Sequence, residues 1–274
     1  MALRQGKKEK MPMSGSAENP KKIETSEGGA IPKKDDIGLF TAWRVTFIGA
    51  ISIIAALVYF KPEPYLAILK FLPDGIYVTF KVTIASIFLS LVFGLIAGLG
   101  RISQNIFING IASLYVEVIR GIPLLVQLFY IYFALGKFVQ LPAELCAIIA
   151  MSICYGAYMA EIFRAGIDAI PKGQTEAARS LGMTSSQTTK HVILPQAIKT
   201  ILPPVGNEFI ALLKDSSLVS ILAVSDLLRR GREYASESFD YFETYTMVAL
   251  IYLVITLILS KLVAIMEDKI SDDG

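Results

Sequence analysis

Six stretches of this chain run for most of a bilayer's width with little or no charge: Val45 to Phe60, Val82 to Gly100, Gly121 to Gly136, Leu145 to Ala160, about Ile201 to Val224, and Thr244 to Ser260. A helix crossing the hydrocarbon needs about 20 apolar residues. Stretches of 16 or 17 residues must therefore borrow flanking positions. Glu208, Lys214 and Asp215 interrupt the fifth, which reads as a broken or partly re-entrant span. The expected fold is an all-α membrane protein, a polytopic helical bundle of about six transmembrane helices.

Composition agrees. Of 274 residues, 54% are hydrophobic and 18% charged, with a mean hydropathy of +0.55, too apolar for an ordinary soluble domain. The net charge is +2, and the basic residues are spread between apolar blocks, which argues against nucleic-acid binding. Cys146 and Cys154 share one apolar block. On a helix their eight-residue spacing separates them by about 12 Å, too far for a disulfide. With His191 as the single histidine, no zinc or haem ligand set exists, and no metal is expected.

Residues 1–40 hold lysines among Ser, Gly, Pro and Glu without an apolar run, and are expected to be a disordered cytoplasmic tail. Residues 41–62 read as an uncleaved transmembrane anchor, because no small-residue cleavage site precedes Lys61. Six spans put both termini on one side. Seventeen Lys and Arg lie on that side and seven on the other, so both termini are expected to be cytoplasmic. Arg229, Arg230 and Arg232 run against this trend and suggest an interfacial amphipathic helix.

A polar loop, residues 161–200, separates the fourth span from the fifth and is expected to hold two short helices. The first carries Gln174, Glu176, Ala177 and Ala178 and ends at Gly182, a helix terminator. The second starts near Thr184, Ser185 and Ser186 and ends at Leu194 and Pro195. An E-A-A tripeptide alone is common, and a generic loop with polar residues facing water is the bland alternative. The full pattern says more. Glu176-Ala177-Ala178, Gly182 four residues on, nine further residues, then Val192-Ile193-Leu194-Pro195 closely resembles the EAA signature of the permease subunits of ATP-binding-cassette importers. Only Val192 departs, replacing the usual Ile.

The strings Arg120-Gly121-Ile122-Pro123-Leu124-Leu125-Val126-Gln127, Gly156-Ala157-Tyr158, Glu161-Ile162-Phe163-Arg164 and Lys214-Asp215-Ser216-Ser217-Leu218 resemble the polar amino-acid branch of that family. The resemblance covers about residues 76–270. It implies a five-helix importer core behind an extra N-terminal span, and import of a polar or charged amino acid across the cytoplasmic (inner) membrane of a bacterium. It further implies a second permease subunit, identical or paralogous, an ATPase subunit docked on the Glu176 to Pro195 loop, and an extracytoplasmic binding protein that largely sets selectivity. The sequence contains no G-x-x-x-x-G-K-[ST] string, so the expectation is that no cofactor is bound by this chain and that ATP and Mg sit on the partner ATPase.

Charges inside spans are costly, by ~2.5–3.5 kcal/mol on insertion scales, and mark cavities or pathways. Glu117, Arg120, Gln127, Asn207, Glu208, Lys214, Asp215 and Ser216 are the candidate substrate path. A zwitterion needs a cation for its carboxylate and an anion for its ammonium, and this set supplies both. Internal pairing, as of Glu117 with Arg120 three residues on, is the competing account. Pro123, and likewise Pro203 and Pro204, cannot donate to the carbonyls four residues back, and freed carbonyls at helix breaks can serve as ligands. Two rivals stand beside the importer. An ion-coupled transporter has no use for the Glu176 loop, and a membrane hydrolase lacks a base beside a nucleophile.

Overall fold

A computed structural model describes residues 41–272, and the expected N-terminal tail lies outside them. Among the described residues there are helices and no strands. The long elements are α1 (Ala42–Phe60), α3 (Pro73–Arg101), α6 (Ala143–Asp168), α9 (Leu194–Asp215) and α11 (Tyr241–Asp272). Between them lie α2 (Pro62–Phe71), α4 (Ile106–Gly121), α5 (Leu124–Phe129), α7 (Lys172–Ser180), α8 (Ser185–Thr188) and α10 (Leu227–Ser238).

Four segments are long and apolar enough to cross a membrane: α1, the run from α2 through α3, α6 and α11. A fifth forms if the bent pair of α4 with residues 124–134 counts as one span; the two halves meet at 103°. The remaining expected span, about 201–224, is α9 followed by a 3-10 segment, Ser216–Leu222. Its charges keep it below that apolarity, and it breaks where Asp215 ends the α-helix.

The bend between α4 and α5 has a local cause. Pro123 has no N–H, and Ile122 adopts an extended conformation at the α4 terminus. The side chain of Gln127 then turns back and donates to the carbonyls of Ile119 and Ile122, at 2.8 Å each. The carbonyl that Pro123 frees is thus satisfied from within the chain.

The core is built on α6, which packs along α3 through small residues, as helices in lipid do. A Cβ at Gly94 would run into the Cβ of Met159, and one at Gly98 would stand 2.9 Å from the carbonyl oxygen of Ala160. Serines stitch the same seam: Ser90 donates to the Ser152 carbonyl and Ser152 to the Ser86 carbonyl, both at 3.3 Å. Met151, Tyr155 and Met159 of α6 join Leu212 and Val219 in the main apolar cluster. A second cluster gathers Tyr65, Ile68 and Leu72 with Leu227, Met247 and Val248, and α1 leans on it through Leu57 and Val58.

At its other end α1 is fixed to α11, where Trp43 Nε1 donates to the Leu257 carbonyl at 2.8 Å. Most of the rest of α1 is exposed, with Ala50 its one buried residue. Lipid accounts for such an apolar face. Cys146 and Cys154 are buried free thiols.

Two boundaries differ from the sequence reading. The loop expected from Glu161 begins only after Asp168, because α6 carries its charges paired along the last two turns. Glu161 accepts from both Arg101 and Arg164, and Arg164 reaches Asp168 at 2.8 Å. Pro195 does not end the second loop helix. A π-turn, Thr189–Ile193, carries that helix into α9, and Pro195 sits in the first turn of α9, where a missing N–H is tolerated.

Candidate substrate path and coupling site

A cavity of about 430 Å³ opens between α4, α6 and α9, with Arg120, Tyr155, Tyr158, Glu208 and Asp215 in its wall. Helical register explains the membership. Glu208, Ala211 and Asp215 fall at i, i+3 and i+7 on α9 and share one face, whereas Lys214 is exposed on another. Cys154, Tyr155 and Tyr158 line α6, and Arg120 stands at the end of α4, just before the bend.

The polar contacts run through the tyrosines. Tyr155, 4% exposed, donates its hydroxyl to Asp215 Oδ2 at 2.8 Å. The guanidinium carbon of Arg120 stands 5.1 Å from the ring centroid of Tyr158, within cation–π range. Arg120 therefore rests on an aromatic face, and the pairing with Glu117, the competing account, is not formed. One guanidinium opposite two carboxylates gives the wall a formal charge of −1. Cavities of about 690 and 510 Å³ elsewhere are lined almost wholly by apolar side chains and offer a charged ligand nothing.

Of the eight path candidates, the structure brings Arg120, Glu208 and Asp215 together. Glu117, Asn207 and Lys214 are exposed and lie outside the cavity wall. Gln127 is spent on the bend, and Ser216, fully buried, donates to the Leu213 carbonyl at 2.7 Å. Tyr155 and Tyr158 are the residues sequence reasoning missed as site members. The available signal was two hydroxyl-bearing rings one turn apart in a helix otherwise rich in Ala and Ile.

The Glu176 loop is capped at its helix ends and outwardly bare. On α7 only Ala178 is buried; Gln174, Glu176 and Ala177 are exposed, as is Leu181 at 84%. Gly182 terminates the helix at φ +86°. Its N–H bonds the Arg179 carbonyl at 3.0 Å, and the N–H of Met183 bonds the Ala178 carbonyl at 3.2 Å, a Schellman closure. The next helix opens with a capping box: the Thr184 hydroxyl accepts from the Gln187 N–H and the Gln187 side chain accepts from the Thr184 N–H.

Residues 90–272 match the family described as "Binding-protein-dependent transport system inner membrane component". The L-cystine transport system permease protein TcyB of Bacillus subtilis (strain 168) is 41% identical over 201 residues, 73% of this chain and 86% of that protein. The arginine transport system permease protein ArtQ of the same organism is 36% identical over 207 residues, 75% and 94% of the two chains. A crystal structure of an amino acid ABC transporter with histidines superposes with a TM-score of 0.71 at 42% identity, covering 79% of this chain and 98% of that one. The helical architecture, the Glu176 loop and a family match over two thirds of the sequence converge: the chain belongs to the binding-protein-dependent transport system inner membrane components, the multi-pass permease subunits of ABC importers.

Proposed function

We propose that this permease subunit imports a polar amino acid, with a cationic one preferred, through the cavity between α4, α6 and α9. The observation that carries the reading is the placement of Arg120 opposite Glu208 and Asp215 in one cavity. Arg120 takes the α-carboxylate. The two carboxylates take the α-ammonium and, in a dibasic substrate, the side-chain cation as well. A wall of net charge −1 disfavours an anionic amino acid by the same Coulomb argument. The names of the relatives, cystine and arginine permeases, agree with an amino-acid cargo.

Energy enters through partners. A second permease subunit completes the path, an ATPase subunit holding ATP and Mg grips α7, and an extracytoplasmic binding protein delivers substrate. The exposed α7, with Gln174, Glu176, Ala177 and Ala178 before Gly182 and with Pro195 further on, is the docking lever, on the cytoplasmic side with both termini. Its stiff Schellman end suits that work, since a frayed end would absorb motion rather than pass it on. The experiment is reconstitution of the chain with its candidate ATPase and binding protein in vesicles, scoring uptake of L-arginine, L-glutamine and L-glutamate. ATP-dependent uptake in that order of preference is expected. Uptake driven by an ion gradient without ATP would defeat the reading.

A further inference from the structure

We propose that the tyrosine pair of α6 reports whether the cavity is occupied: Tyr155 holds Asp215, and Tyr158 underlies Arg120, only while no substrate claims those two charges. This rests on the reading that an amino acid passes through the cavity. Tyr155 reaches Asp215 at 2.8 Å, Arg120 stands 5.1 Å over Tyr158, and the two rings lie 5.8 Å apart. Through two residues one turn apart, α6 is tethered at once to the acidic wall on α9 and to the basic wall on α4.

Both tethers are the weaker choice for the charge they hold. A carboxylate is a stronger partner for a guanidinium than an aromatic face, and an ammonium a stronger partner for a carboxylate than a neutral phenol. A zwitterion seated in the cavity therefore displaces both tyrosines. A ligand shifts a conformational equilibrium only through contacts that differ between its two states. Here the difference is the pair of tethers on α6.

The position of α6 gives the release somewhere to go. Its helix runs unbroken from the cavity to Asp168, and α7, the exposed loop helix, begins after three intervening residues. Close glycine contacts at Gly94 and Gly98 bind it to α3, and Gly166 abuts the side chain of Ile201 on α9. An α6 freed from Asp215 and Arg120 moves together with α3 and carries α7 with it.

The test uses the permease–ATPase complex together with its binding protein in lipid nanodiscs, with L-arginine, L-lysine and L-glutamine as probes and ATP hydrolysis as readout. In the wild type, acceleration by any probe supports the transport reading, and no acceleration by any of them removes that reading and the sensor with it. Tyr155→Phe keeps the ring and loses the hydroxyl. It is expected to raise hydrolysis without amino acid by roughly threefold to tenfold, and to lower the half-stimulating concentration by a similar factor, the range of one ordinary net hydrogen bond. If stimulation ratio and half-stimulating concentration both stay at wild-type values, the transport reading stands and the sensor falls. A parallel drop of basal and stimulated rates with lower thermal stability would equally reduce Tyr155 to a packing residue. Tyr158→Leu removes the face under Arg120, carries the same expectation for the basal rate, and decides the matter if Tyr155→Phe does not assemble.

Discussion

Gly182 is the residue at which sequence and backbone agree most directly. Its φ of +86° lies where a β-branched side chain is strained, and a Cβ there would meet nothing within 4 Å, so the strain alone is felt. Gly182→Val is expected to cost about 1–3 kcal/mol locally and fray the end of α7. Co-purification of the ATPase subunit should fall and uptake should drop severalfold while the membrane part stays folded. Asp226 supplies a pH prediction. It is fully buried between the 3-10 segment and α10, where it caps α10 by accepting from the N–H groups of Leu228 and Arg229. Burial pushes its carboxyl up from the ordinary 3.8 to about 6. The native state therefore holds this proton more tightly than the unfolded chain, and the stability it contributes below pH 4 is lost as pH rises through about 6. Asp226→Asn keeps the cap and is expected to flatten the thermal stability profile between about pH 4 and 6. Gly182 was legible because glycine after a helical run is local punctuation. The role of Gln127 was not, since its amide serves carbonyls that become free only when the chain bends at Pro123.

Among the elements, the α3–α6 seam is the one most sensitive to volume. Gly94→Ala forces a methyl against Met159 and the backbone near Ala160, and overpacking of this kind typically costs about 1–3 kcal/mol. The expected readout is a lower midpoint of thermal unfolding in detergent, with Gly110→Ala on α4, where a Cβ meets nothing within 4 Å, as the neutral control. Existence of the long helices was readable from apolar runs, and the start of α8 from Thr184, Ser185 and Ser186. Their extents were less so. Asp168 ends α6 because charges that look like loop in one dimension pair along a helix in three, and Pro195 is absorbed by a π-turn that no local residue signals. The cavity was half visible: charges inside spans drew attention to Arg120, Glu208 and Asp215, whereas Tyr155, a neutral residue in an apolar run, drew none and Tyr158 entered only within a resemblance string.

At the scale of the molecule, the excess of basic residues beside α7 predicts that this end faces the cytoplasm and that α2 and α10 face outward. Single cysteines replacing Glu63 on α2 and Gln187 on α8 test it, since both positions are exposed and the native thiols are buried. A membrane-impermeant maleimide added to intact cells should label Cys at 63 and spare Cys at 187 until the membrane is opened; the reverse pattern would invert the topology. The bond from Trp43 to the Leu257 carbonyl bears on how the protein is made. It joins the first described helix to the last, 214 residues apart. A chain emerging from a ribosome inserts α1 long before α11 exists, so α1 waits in the lipid with its indole N–H unclaimed by α11. Closure of the bundle is thus timed by completion of synthesis, and a product cut short before Leu257 would expose in α1 an unmatched surface that quality-control proteases can read.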